Sequence, residues 1–248
     1  MFPVICHLGP FTLYSYGLML AVAVVVGSLL TAREVARYGI NREVIYDLAF
    51  WVVVCGIVGA RLFYVFLNFD YFSQFPFEIL MLQKGGLAWQ GSLLTGVAAG
   101  IVFIRHQKLP LWTVLDAAAP FLALGHAIGR IGCLLNGCCY GKPVAWGLYF
   151  PVWGQHLHPT QIYMSAGEFF VFLILYVLQK QGKNPAGRLF VLYLVLSSAE
   201  RFIVEFFRAD HVEMWGGLSL FQYVCALVIA AALVVNARLG AKNNLDNK

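Results

Sequence analysis

The sequence predicts an all-α fold: a polytopic integral membrane protein built as a bundle of seven transmembrane helices. Three observations predict it. Over 248 residues the chain is 60% hydrophobic and only 12% charged, about half the charge usual in a soluble domain. Its apolar residues fall in long blocks, each near the roughly 20 residues that cross a bilayer. Short intervals rich in charge, glycine and proline separate the blocks. Disorder in water is excluded, because it needs low hydrophobicity and high charge.

The blocks predict spans at 13–32, 46–67, 86–104, 112–135, 161–179, 187–207 and 218–236. The first follows an N-terminal stretch with no basic residue. It is too long for the core of a signal peptide, so it is expected to stay as a helix. The second follows Arg42 and ends before Asn68. The third begins at the glycine pair Gly85-Gly86, which suggests an irregular backbone at the membrane surface. Such backbone is tolerated only where protein or water satisfies it. The fourth and sixth carry polar residues near one end, Arg130 in one and Arg201 with Glu205 in the other. The fifth opens after His158-Pro159-Thr160. The seventh is the most uniformly apolar stretch near the C-terminus. Residues 1–240 read as one transmembrane catalytic domain and 241–248 as a polar, disordered tail.

The net charge of +5 is explained by where the basic residues lie. Arg33, Arg37, Arg42, Arg105, Lys108, Lys180, Lys183, Arg188, Arg238, Lys242 and Lys248 fall in alternate intervals and the tail, whereas Lys84, Lys142 and Arg208 are sparse on the other side. The positive-inside rule then puts the N-terminus outside and the C-terminus in the cytoplasm. Basic residues accounted for in this way give no support for nucleic-acid binding.

Charge within a span is costly and marks a functional site by default. Arg201, Glu205 and Arg208 are spaced i, i+4 and i+7, on one helical face. They form either an interfacial salt bridge or an arginine held by Glu205 to bind a phosphate bidentately. Arg130 and Asn136 lie among Gly129, Gly132, Gly137 and Gly141. Small residues there allow either helix packing or close approach of a lipid headgroup. Tyr16 opens the first span, and His158 and Gln161 precede the fifth. All of these lie toward the outer leaflet in the predicted orientation.

Six motifs in order resemble the prolipoprotein diacylglyceryl transferase family of bacteria, across nearly the whole chain. They are Tyr14-Ser15-Tyr16-Gly17-Leu18-Met19, Gly59-Ala60-Arg61-Leu62-Phe63-Tyr64 and Gly85-Gly86-Leu87-Ala88-Trp89-Gln90-Gly91. The others are Gly129-Arg130-Ile131-Gly132 (preceded by Asp116 and Pro120), His158-Pro159-Thr160-Gln161-Ile162-Tyr163 and Arg201 through Arg208. The resemblance implies transfer of the diacylglyceryl group of phosphatidylglycerol to the lipobox cysteine thiol of an exported prolipoprotein. The products are a thioether and glycerol 1-phosphate. It implies a bacterial cytoplasmic (inner) membrane location and an active site toward the outer leaflet, with no metal or organic cofactor. Its catalytic set would be Arg130, Arg201, Tyr16, Gln90 and Glu205. Its substrate-binding set would be Arg130, Asn136, Gly141, Arg61, His158 and Arg208.

The chain departs from the family pattern in two places. Gln90 stands where a histidine is common, and glutamine takes up no proton at neutral pH. The base would then be another group, such as His126 or His158, or water. Cys133 and Cys138 stand where asparagine and glutamate are common. Of the six cysteines, Cys55 and Cys225 read as apolar fillers. Cys133, Cys138 and Cys139 read as packing thiols, as disulfide partners (with Cys6 one candidate) or as metal ligands, although no standard zinc spacing is present. A paralogue with another acceptor or its own thiol chemistry is the alternative function. A membrane transporter or lipid-binding protein ranks lower, because no internal repeat is evident.

Overall fold

The computed structural model describes residues 1–8, 11–82, 85–182, 184–209 and 214–246. Lys84, Lys183 and Lys248, three of the residues used for orientation, lie outside the described residues. Among the described residues there are eight α-helices: α1 Ser15–Val35, α2 Arg42–Leu67, α3 Phe69–Gln74, α4 Trp89–His106, α5 Leu111–Asn136, α6 Thr160–Gln181, α7 Arg188–Glu205 and α8 Leu220–Asp246. A helix therefore stands at each of the seven predicted positions, with the short α3 in addition. Among the described residues five segments are long and apolar enough to cross a membrane: Ser15–Tyr38, Arg42–Leu67, Leu111–Asn136, Thr160–Gln181 and Leu220–Gly240.

The other two long helices, α4 and α7, fall short for physical reasons. Each has 18 residues, about 27 Å at 1.5 Å per residue, slightly under the hydrocarbon thickness. In addition α4 carries Gln90, Arg105 and His106, and α7 carries Arg188, Glu200, Arg201 and Glu205. Large apolar side chains point outward along the helices: Leu227, Val102, Phe170 and Leu94 are all more than 60% exposed. Such a surface belongs in lipid. The chain is a largely helical, multi-pass membrane protein.

Two antiparallel hairpins were not expected. Strands β1 (Val4–Leu8) and β2 (Phe11–Tyr14) pair before α1, and β3 (Pro143–Phe150) and β4 (Gln155–Leu157) pair between α5 and α6. The first hairpin occupies part of the predicted first span, so α1 starts at Ser15. The tail differs as well, since α8 continues through Asp246.

The chain divides into two compact units. The first comprises residues 1–31 and 112–248, the second residues 32–111. In the first, Gly132 lies under α1, where an added Cβ would meet Met19 and Tyr16 at 3.0 and 3.4 Å. Its apolar core gathers Ala119, Ala123, Val171, Leu175, Leu189 and Tyr193 from α5, α6 and α7. Buried Asp116 of α5 caps α7: its carboxylate accepts the Gly187 and Phe190 amides at 2.6 and 2.8 Å. These are two of the donors a helix start leaves without partners. In the second unit α2 and α4 approach closely through small residues. A Cβ on Gly91 would lie 2.3 Å from the Gly59 carbonyl.

Candidate active site

The end of α7 carries a buried carboxylate between two arginines. Glu205 is 1% exposed. Its Oε2 lies 2.8 Å from an Arg201 nitrogen and 3.7 Å from Nε of Arg208. Oε1 accepts the Ser219 hydroxyl at 2.9 Å. Two cations thus flank one buried carboxylate. Arg201 also stacks over Phe221, 5.0 Å from the ring centroid, which limits its swing. The i, i+4 helical spacing read from the sequence pairs Arg201 with Glu205, whereas Arg208 lies past the end of α7, bridged to Gly141, and reaches the same carboxylate from there.

The second part is the turn that ends α5. Gly137 has φ +75°, the left-handed conformation that commonly ends helices. Its amide donates to the Leu134 carbonyl, and the Cys138 amide donates to the Cys133 carbonyl, both at 3.2 Å. This paired pattern is a Schellman cap. It folds the chain back so that Cys138 lies over Cys133. Cys139 also has positive φ, +61°, unusual for a residue with a side chain. The Cys138 and Cys139 carbonyls are held by the start of α6, through Gln161 Nε2 and Thr160 Oγ1, each at 2.6 Å. Gly141 then crosses the end of α7. It bridges to Arg208, and a Cβ there would lie 2.5 Å from both the Phe207 carbonyl and the His158 Cβ.

This turn gathers several of the expected site residues. Asn136 hydrogen-bonds Cys138. Arg130 lies within electrostatic range of Tyr16 and of Arg201. Arg208 hydrogen-bonds Cys139. Hydrogen bonds from the Cys133 and Cys138 thiols, aided by Arg208, hold the Cys139 thiol far below its ordinary value, against the opposing effect of burial. All six cysteines are free thiols, so Cys6 is not joined to this group. His158 stands in an aromatic box of Trp146, Tyr163 and Phe207, its Nδ1 3.1 Å from the Tyr163 hydroxyl.

Beside the turn, α5 and α6 enclose a cleft of about 490 Å³. Leu124, Ile128, Ile131, Leu134, Ile162 and Phe169 make it largely apolar, and Arg130 and Gln161 are its main polar groups. Ile131, Ile162 and Phe169 are each over 40% exposed, so the cleft is open to the side. An apolar slot with a cation in its wall matches a lipid: chains along the slot, phosphate at the arginine.

The remaining predicted residues belong to the second unit. Arg61 is 6% exposed, and its guanidinium donates to the backbone carbonyls of Ile79, Gly85, Gly86, Glu78 and Met81. Those bonds use all five N–H donors of the group. The substrate-binding role expected of Arg61 therefore gives way to a positioning role: it shapes the loop that leads into α4. Gln90, the second residue of α4, is exposed.

A further polar cluster surrounds His126, and its acidic members escaped the sequence reading. Glu168 is 4% exposed, accepts the Ser197 hydroxyl at 3.0 Å and lies 3.5 Å from His126. The Tyr193 hydroxyl is 3.1 Å from the same His126 nitrogen. Both buried carboxylate oxygens of Glu200 are without a hydrogen-bond partner among the described residues, and Arg130 and Arg201 lie within its electrostatic range. Acidic residues inside apolar helices were the available signal.

Residues 3–238 match the family model described as prolipoprotein diacylglyceryl transferase. The chain is similar to the phosphatidylglycerol–prolipoprotein diacylglyceryl transferase of Geobacillus kaustophilus, 36% identical over 244 residues, covering 94% of this chain and 90% of the relative. It is 38% identical over 235 residues to the protein of that name from Thermosynechococcus vestitus, covering 90% and 87%. The Bacillus mycoides protein of that name is 34% identical over 258 residues, covering 97% and 95%.

Proposed function

Because the chain belongs to the prolipoprotein diacylglyceryl transferase family, we propose that it transfers the diacylglyceryl group of phosphatidylglycerol to a prolipoprotein, an early step in lipoprotein maturation. The acceptor is the lipobox cysteine of an exported preprotein. Its thiolate sulfur attacks the glyceryl carbon that bears the phosphate. The sulfur–carbon bond forms, the carbon–oxygen bond breaks, and the electron pair leaves on phosphate oxygen as glycerol 1-phosphate. The thiol proton goes to a base or to water.

One observation carries the reading. Arg130 lines an apolar cleft, and two guanidinium groups, Arg201 and Arg208, flank the buried carboxylate of Glu205. The phosphodiester carries one negative charge and the leaving phosphomonoester close to two. Cations already fixed in a water-poor site favour the state in which that charge grows. Arg130 and Arg201 take this role, with Glu205 holding Arg201 in place. Tyr16 and Asn136 serve as polar partners. His158, Gly141 and Arg208 shape the phosphate side, and Gln90 stands at the start of α4. The alternating basic residues support seven spans in a bacterial cytoplasmic membrane, N-terminus outside and C-terminus inside, with chemistry at the outer leaflet.

The test uses detergent-purified protein, phosphatidylglycerol and a lipobox peptide with a free cysteine, with mass spectrometry detecting diacylglyceryl on the peptide. Arg130→Ala and Arg201→Ala should each lower turnover about 100- to 1,000-fold, as loss of one charge-stabilising donor does. A folded, lipid-binding sample that gives no product, beside an active relative, would move the assignment to a paralogue with another acceptor.

A further inference from the structure

Cys133, Cys138 and Cys139 bring their sulfur atoms within 4.8 Å of one another. We propose that these three residues bind one zinc ion as thiolates, and that the ion's fourth position takes the sulfur of the acceptor cysteine. The first half of the proposal is independent of the transferase reading, and the second half rests on it.

The geometry is close to what zinc requires. With zinc–sulfur bonds of about 2.3 Å, tetrahedral ligands lie about 3.8 Å apart. The largest sulfur separation here, at most 4.8 Å, closes to that by moving about 1 Å or less. The backbone that carries the sulfurs is already formed. The Schellman cap places Cys138 over Cys133, and the left-handed Cys139 turns the third thiol to the same point. Non-glycine residues held in that conformation cost energy and concentrate at functional sites. Thr160 and Gln161, both buried, grip the two carbonyls of the loop from α6, much as outer-shell partners fix metal ligands. A soft sulfur set, with no carboxylate among the described residues of the group, selects zinc or cuprous copper over magnesium or calcium.

Charge and access fit as well. Three thiolates and a zinc ion carry a net charge of minus one. Arg208, which hydrogen-bonds Cys139, and Arg130, in electrostatic range of Cys133, offset it. Cys133 is buried, whereas Cys138 and Cys139 are half-buried, which leaves one side of the ion open. A site with three protein ligands and one open position is the catalytic pattern for zinc. A thiol that enters that position is deprotonated by coordination. Its sulfur–hydrogen bond breaks, the pair stays on sulfur and binds zinc, and the proton leaves on the displaced water. The acceptor then faces the lipid phosphate already as a thiolate.

The experiment begins with metal analysis of the full-length protein purified in detergent without chelator. About one zinc per chain is expected, and Cys133→Ser, Cys138→Ser and Cys139→Ser should each lose it. A chelator applied to the wild-type protein should release the ion and raise the number of reactive thiols by three, which keeps the test valid if a variant misfolds. Cobalt(II) put in place of zinc should show sulfur-to-cobalt charge-transfer bands. A cysteine peptide should shift the visible cobalt bands, and its serine counterpart should leave them unchanged. Metal-free protein that takes up neither zinc nor cobalt, or that weighs about two hydrogens less because of a disulfide, would overturn the site; bound copper would overturn the choice of zinc. Bound zinc with cobalt bands unmoved by the peptide would overturn the fourth-position role. Zinc bound by a protein with no transferase activity would leave the site standing and refute the transferase reading alone.

Discussion

Glu205→Gln changes the charge of the α7 end with almost no change in shape. In the wild type one carboxylate, 1% exposed, offsets Arg201 at 2.8 Å and Arg208 at 3.7 Å. A unit charge pair near 4 Å is worth about 4 kcal/mol at an effective dielectric of 20, and breaking a buried pair typically costs about 3–5 kcal/mol. Glutamine keeps an acceptor for the Ser219 hydroxyl and recovers a little of this, so a loss of about 3 kcal/mol is expected. For a chain of this size that is roughly a 6–12 °C fall in melting temperature. Arg201 and Arg208 would also repel each other and move apart. Turnover should then fall by about 100-fold, because a displaced donor stabilises leaving-group charge poorly. Glu205→Asp should recover part of both effects. The assay pairs thermal unfolding in detergent with product formation measured by mass spectrometry. A Glu205→Gln protein with wild-type melting and wild-type turnover would refute the view that Glu205 holds the arginines in place.

Two further predictions concern the backbone around the site. Gly141→Ala puts a methyl group 2.5 Å from the Phe207 carbonyl and the His158 Cβ. Overpacking of this kind costs about 1–3 kcal/mol, and the lowered melting temperature should come with weaker binding of phosphatidylglycerol. Arg61→Lys replaces five donors by at most three and loses the planar fork; with bonds to charged groups worth about 1.5–3 kcal/mol each, the loop from Pro76 to Ala88 should become sensitive to limited proteolysis, while metal analysis of the first unit's thiols stays unchanged.

The long-range order of the chain was readable in its apolar blocks, because a bilayer demands a nearly constant length of apolar helix. Helices stand at all seven predicted positions, and the i, i+4 spacing of Arg201 and Glu205 led directly to an ion pair, which Arg208 joins from beyond the helix end. Helical periodicity is local, so two residues one turn apart suffice to announce the Arg201–Glu205 pair. The hairpins were not readable, since each is only two short strands that depend on neighbours for support. Glu168 and Glu200 were present as charges within apolar helices, but their burial and their neighbours depend on how α6 and α7 pack.

Composition, length of the apolar blocks and ordered motifs were enough to determine a membrane protein of this family and to nominate its arginines, because those features are properties of single segments. Tertiary structure alone decided which nominees meet. It turned Arg61 inward onto five carbonyls, and it set Arg130 in the wall of an apolar cleft. It also drew Cys133, Cys138 and Cys139 together through a helix cap rather than a zinc-knuckle spacing. The physical reason is the same in each case: donors, charges and thiols are satisfied by atoms distant in sequence or reached by a turn in the backbone, and neither is written in the spacing of residues.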